Sequence, residues 1–316
     1  MPPRSVQNVV FIVLVGLGWG LLGPASKVLF ATEPGVFDGV TVAVARGAWA
    51  LPAFLIVLAA SWWLAPPRLD ARRWAAIVVA GLIFGLVITV VFSIAAQHTS
   101  VAHVSFFIGL SPVSNTALAA LVFRTPLDRR AVLALVLGIA GVSLLAASHN
   151  SNGTALLGDL LMVVWLIAFA IYACLLRFVG ARAQPLVMMS LVGSIAMAML
   201  AGPGVLLGYG GAIAHVGDAT PVAWWFFGEV VLGSALVAPT AYAAAVRRLG
   251  VAVATIGAEY TALAVGLAAS LAAREPWTPL TVVAGLILCG ALAVTFAPIP
   301  ILTKAAAPRE RTAPIA

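Results

Sequence analysis

Apolar residues along this chain come in long unbroken runs, without the alternation of half-buried strands or the single apolar stripe of surface helices. Ten runs stand out, at 9–29, 40–64, 74–96, 101–123, 131–147, 156–178, 185–207, 222–246, 251–273 and 280–296. Each is about 17 to 25 residues, enough to cross a bilayer core as a helix. Most connections are short and marked by Pro, Gly or charge; the longest, 208–221, contains no Lys or Arg and is expected to be a loop. The first run follows Arg4 and could mimic a signal peptide, but it is too long and similar runs follow, so an uncleaved first span is expected.

Composition agrees with the pattern. Of 316 residues 63% are hydrophobic and 9% charged, and the mean hydropathy is +1.13, which excludes an ordinary soluble domain. A net charge of +7 would suggest nucleic acid in a soluble chain, but here the arginines occupy the connections and report orientation instead. With the N-terminus inside, Arg4, Arg68, Arg72, Arg73, Arg124, Arg129, Arg130, Arg177, Arg182, Arg247, Arg248, Lys304, Arg309 and Arg311 are cytoplasmic. Lys27 and Arg274 fall outside and Arg46 within a span, so 14, 2 and 1 account for all 17 basic residues. Both termini are therefore expected in the cytoplasm, at a bacterial-type inner membrane. Cys174 and Cys289 lie in apolar runs without metal-ligand spacing and read as small hydrophobes.

A shift of about 150 residues superposes Trp19 on Phe169, Gly20 on Ala170, Lys27 on Arg177, and Val101-Ala102 on Val251-Ala252. Five spans per repeat is an odd number, so the second copy enters the membrane from the opposite side. Such inverted pairs are common in secondary transporters, with substrate bound at the repeat interface near mid-membrane.

The residues that carry this pattern resemble a known family. Gly18-Trp19-Gly20 with Lys27, Arg46, Gln97-His98-Thr99-Ser100-Val101-Ala102, Leu110-Ser111-Pro112-Val113, and Tyr172 with Arg177 are similar to the drug/metabolite transporter superfamily, EamA-like branch. The resemblance runs from about Asn8 to Phe296. It implies an all-α membrane protein of ten helices in two inverted five-helix repeats, at 8–148 and 156–297, around a central cavity, with a cytoplasmic tail at 298–316. It also implies alternating access and export of small metabolites, amino acids among them. This chain departs from the family at Phe169, where Trp is usual, near Thr125, where an acid retained at Glu275 is usual, and at Tyr260, where Pro is usual.

Within this frame Glu259 stands out, because a carboxylate at mid-membrane costs roughly 2.5 to 3.5 kcal/mol and normally faces a bundle interior or a water-filled cavity. On the helical wheel Thr255, Glu259, Ala262, Gly266 and Ser270 form one small, polar stripe. Glu259 is also the candidate proton site. The fourth run adds a sector of His103, Phe107, Ser111, Ser114 and Asn115 around Pro112, which either lines the cavity or bonds back to its own helix. Trp165, Phe169 and Tyr172 form an aromatic stripe in the sixth run, readable as a ligand wall or as packing, and Trp19 matches Phe169 by repeat position. Thr89, Ser93 and Gln97 make a weaker polar face that reads equally as a helix contact, as do Gly81 and Gly85. Glu229 reads as a vestibule or headgroup residue, Arg46 as an ion-pair or snorkelling residue, and His98 as solvated.

No cofactor or metal is implied. The four histidines make no H-E-x-x-H arrangement, and Gly109-Leu110-Ser111-Pro112-Val113 lacks the final glycine of a nucleophile elbow. The expected function is a carrier exporting small metabolites, amino acids first, with the bilayer and protons as further partners. The alternatives are a channel, or an intramembrane hydrolase using Ser111 and His103. Cavity-lining candidates are Trp19, His103, Ser111, Asn115, Trp165, Phe169, Tyr172, Thr255 and Glu259.

Overall fold

A computed structural model describes residues 4–64, 66–67, 69–124, 126–148, 153–180, 184–249 and 251–296. The expected tail at 298–316 lies outside them, as do Arg68, Thr125, His149, Arg182, Lys304, Arg309 and Arg311.

Helices joined by short connections make up the described residues, among which there is no strand. Helix α1 (Arg4–Gly20) runs into α2 (Leu22–Thr32), with helical backbone bonds continuing through Leu21. α3 (Gly39–Leu64) follows, then α4 (Ala71–Leu82), a π-helical segment (Ile83–Thr89) and α5 (Val90–His98) as one rod. α6 (Val101–Phe123) passes through Pro112 without a break, and α7 (Arg129–Ala147) completes the first half. The second half begins with α8 (Gly153–Gly180) and α9 (Pro185–Gly204), which ends in a π segment (Val205–Tyr209). After α10 (Gly210–His215) comes α11 (Pro221–Gly228), which passes through a third π segment (Glu229–Val237) into α12 (Ala238–Leu249). α13 (Val251–Ala272) and α14 (Pro279–Phe296) close the chain.

Eight helical stretches are long and apolar enough to cross a membrane, so the chain reads as a multi-pass membrane protein. The sequence expectation was ten. The last two helices, α13 and α14, have 22 and 18 residues, of which Gly257–Ala272 and Pro279–Thr295 are the apolar stretches within the described side chains. The expected loop at 208–221 is also corrected. Gly208 breaks the helix with φ 94, but the chain resumes at once as α10 and a 3-10 turn, and α10 packs on α3. A run of glycines with few breakers after it reads as loop in sequence, yet it can fold into short helices once a neighbouring helix covers it.

Local chemistry sets the helix starts. Asp38, Asp70, Ser100, Asp128, Thr220 and Thr278 each accept a hydrogen bond from a backbone N–H three residues on, satisfying a donor that the first turn leaves free. The helix partners follow a pattern of exchange: α7 with α14, α3 with α9, α1 with α13 and α8 with α6, and α6 with α13. Each pairing maps onto itself or onto another of the set when the halves are swapped. Finer details recur at the same spacing. Among the described residues, the non-glycine residues with positive φ are Arg124 and Arg274, 150 apart, at the ends of α6 and α13. The π segment Ile83–Thr89 overlaps Glu229–Val237 under the same shift.

Charge separates along the bundle. At one end Arg73 and Arg177 lie over Phe178 and Phe123, and Arg248 lies over Phe11 and bonds Gln7. At the far end Glu275 accepts from the N–H groups of Val101 and Ala102 at 2.9 and 3.2 Å, Lys27 donates to the Gln97 carbonyl, and Glu33 accepts from Thr220 N–H. Gln97 also accepts from Gly39 N–H, so it joins α5 to α3, the bland alternative for that polar face. Gly81 and Gly85 pack against Ile195 and Ala196 of α9, as a helix contact requires.

Candidate functional site

The site is built where α13 meets α1 and α6. Small residues permit the approach: a Cβ on Gly16 would strike Thr261, one on Gly20 the Ala262 carbonyl, and one on Gly266 the Ser105 hydroxyl. Gly266 is therefore a close packing point against Ser105. One turn from Thr255, Glu259 is 4% exposed and its Oε2 has no hydrogen-bond partner among the described residues. Ser111 of α6 stands against this carboxyl, but its Oγ completes no hydrogen bond. One turn further along α6, Asn115 Oδ1 is also buried without a partner. Glu259 Oε2, Ser111 Oγ and Asn115 Oδ1 are thus three buried polar atoms without a bond among the described residues.

The α12 helix closes this junction with a residue not singled out in the sequence. Tyr242 hydroxyl and Thr255 Oγ1 are 2.6 Å apart, its ring lies 5.5 Å from that of Trp19, and it interacts electrostatically with Glu259. A signal for it did exist, since the 150-residue shift places Tyr242 on Phe92, itself 5.9 Å from Trp165. Tyr242 also interacts with Tyr172, which links the junction to the aromatic stripe. There Trp165 stacks on Phe169 at 5.1 Å, Phe169 meets Tyr172 at 5.8 Å, and Tyr172 stacks on Phe84 at 5.3 Å. The stripe is thus a continuous aromatic column, with Trp165 and Tyr172 buried and Phe169 half-buried.

His103 does not join this group. Its Nδ1 faces both oxygens of Asp159, at 2.9 and 3.1 Å, and its Nε2 lies 3.5 Å from Ser148 Oγ. Thr99 donates to the same carboxylate at 2.5 Å. The network sits at the far end, two turns from Ser111 on the same helix. Asp159 gave a weak signal, as an acid one turn inside an apolar run, and its partner could be found only by folding α8 against α6. Ser114 donates to the Ser111 carbonyl and Thr116 to that of Pro112, so around the proline these hydroxyls bond back to their own helix.

Arg46, which the sequence offers as an ion-pair or snorkelling residue, interacts electrostatically with Glu229. Glu229 lines a groove of about 910 Å³ between α2 and α11, walled by Leu21, Pro24, Trp224, Trp225 and Leu232. Among the described residues no group of three or more His, Cys, Asp or Glu could hold a metal ion.

Comparisons with known proteins agree with this architecture. A solved structure titled "Crystal structure of protein" matches over 96% of this chain and 100% of its own, with a TM-score of 0.57 at 18% identity, a likeness of fold. A comparison with curated proteins finds no match. The model of the EamA-like transporter family matches residues 7–147, the stretch that supplies Trp19, Ser111 and Asn115 to the junction. That match covers residues 7–147, less than half of the chain, and is consistent with the branch of the drug/metabolite transporter superfamily that its motifs resemble.

Proposed function

We propose that this protein is a membrane carrier that exports small metabolites, amino acids or close relatives first, by alternating access around the Glu259 junction. The observation that carries the reading is the open carboxyl of Glu259, buried beside Ser111 and Tyr242 where helices of both halves meet. A buried acid with no fixed partner can take up a proton in one state and release it in another, while the flanking hydroxyls and rings hold substrate. Trp19, Tyr242, Phe169 and Tyr172 supply the apolar wall, with Ser111, Asn115 and Thr255 as hydrogen-bonding groups.

The reading includes ten spans in two inverted halves, 8–148 and 156–297, with the tail 298–316 and both termini in the cytoplasm at an inner membrane. Support comes from the exchange pattern of helix partners, from Arg124 and Arg274 150 residues apart, and from arginines gathered at one end of the bundle. The hydrolase alternative loses support because Ser111 and His103 belong to separate networks.

The test is a screen of metabolites in proteoliposomes, with and without an imposed pH gradient. A carrier gives saturable uptake accelerated by substrate trapped inside. Linear uptake with no such acceleration indicates a pore and contradicts the proposal.

A further inference from the structure

At the far end of the bundle three carboxylates reach from one half of the chain to the other. Glu275, in the connection between α13 and α14, accepts from the N–H groups of Val101 and Ala102 in the first turn of α6. Ser270 donates to the same carboxylate at 2.6 Å, Trp277 Nε1 donates to Ser270 Oγ at 3.0 Å, and the Trp277 ring meets Phe106 of α6 edge-on at 6.1 Å. Asp159 of α8 accepts from Thr99 Oγ1 and faces His103 Nδ1, with Asp159 and His103 2% and 3% exposed. Glu33, at the end of α2, accepts from the N–H of Thr220, which caps α11. Closure there is tight, since a Cβ on Gly158 of α8 would lie 2.7 Å from the Thr99 nitrogen.

The arginine end is joined differently. There Asp70 and Asp128 cap the first turns of their own helices. Arg73 of the first half lies over Phe178 of the second, and Arg177 and Arg248 of the second half lie over Phe123 and Phe11 of the first. Arg177 and Arg248 are exposed, and a guanidinium over a ring at an exposed position gives up little when water replaces the contact. A buried carboxylate parted from its donors loses charge-assisted bonds and leaves polar groups unsatisfied until water reaches them, which costs more. The repeat does not restore the balance. Under the 150-residue shift Glu275 falls on Thr125, Asp159 on Val9, Glu33 on Ala183 and His103 on Val253, none of them an acid or a histidine. The helices repeat, and the fastening of their ends does not.

We propose that these carboxylates bolt the far end shut, so that the resting protein opens to the cytoplasm and outward opening is the harder step of its cycle. Outward opening has to part Glu275 from α6 and Asp159 from Thr99 and His103. Inward opening parts rings from guanidinium groups that water then covers. A carrier with this bias waits in the state that receives cargo from the cell, and turns outward when a bound ligand has the higher affinity for the outward state. The inference rests on the alternating-access reading above and adds to it a resting orientation and the residues that set it.

The experiment measures from which side a cysteine at the centre of the bundle can be reached. Ser111→Cys is placed in the full-length chain with Cys174 and Cys289 replaced by Ala, and a small membrane-impermeant thiol reagent is added to inside-out or right-side-out vesicles. The cysteine is expected to react at least tenfold faster from the cytoplasmic side. Adding Glu275→Gln and Asp159→Asn together should raise the rate from outside at least tenfold and lower the rate from inside, while Arg177→Gln should leave the outside rate unchanged. If Asp159→Asn does not fold, Glu275→Gln and Glu33→Gln decide the matter, each raising the outside rate at least threefold. The inference is overturned if the outside rate stays as it was in the folded variants, or if the cysteine reacts equally from both sides or from neither before the bolt is altered. Counterflow by the same variants with Ser111 intact keeps the readings apart. A shift in sidedness without counterflow removes the carrier alone, and counterflow with sidedness unmoved removes the bolt alone.

Discussion

At Glu259 the cost of burial is the informative quantity. An acid in an apolar helix announces itself, and its i−4 neighbour Thr255 shares its face by helical geometry alone. Ser111 stands against this carboxyl and Trp19 against Tyr242, each brought there by its own helix. His103 does not join them, since its position depends on Asp159, a residue 56 positions away whose pairing no local pattern encodes. Tyr242 was missed for a related reason: a lone tyrosine in an apolar run reads as packing until Thr255 and Trp19 are seen around it. Tyr242→Phe should keep the ring and lose the hydroxyl, weakening substrate competition in counterflow by about 3- to 10-fold, the scale of one neutral hydrogen bond, at unchanged expression. Tyr172→Ala should change the order of preferred substrates at normal expression, because it opens the aromatic column that Phe169 and Phe84 complete. Expression and transport falling together would show that the column only packs.

Among the helices, α13 is the one whose sequence pattern speaks most directly of its packing. Its stripe of small residues is what brings α1 and α6 against it. The π segments had no sequence signal, because a π turn inserts one residue into a helix whose composition is otherwise ordinary. Their recurrence in both halves nevertheless fits the repeat read from Trp19 and Phe169. Close packing gives a sharp stability test. Gly266→Leu forces a side chain into Ser105 and should cost about 1 to 3 kcal/mol, the usual scale for overpacking, seen as a lower melting temperature in detergent. Gly290→Ala, where a Cβ meets nothing within 4 Å, should leave the melting temperature nearly unchanged. Equal melting temperatures for both variants would contradict the contact between α13 and α6.

For the molecule as a whole, hydrophobic length makes the helical membrane class legible, since it follows from the physics of the bilayer and not from side-chain detail. The pairing of helices across the two halves needed the folded chain. The topology reading predicts that cysteines introduced at Arg72 and Arg129 react only with reagent on the cytoplasmic side and one at Asp218 only from outside. Labelling of Asp218 from the cytoplasm would contradict the inverted repeat. The central claim is that the open carboxyl of Glu259 carries the proton that couples transport. It is tested by Glu259→Gln, which keeps shape and hydrogen-bonding capacity but cannot change charge. The measurement compares counterflow with gradient-driven uptake in proteoliposomes, normalised to folded protein. The account predicts that the variant retains counterflow and loses its response to an imposed pH gradient; a variant that still follows the gradient as wild type does would contradict it.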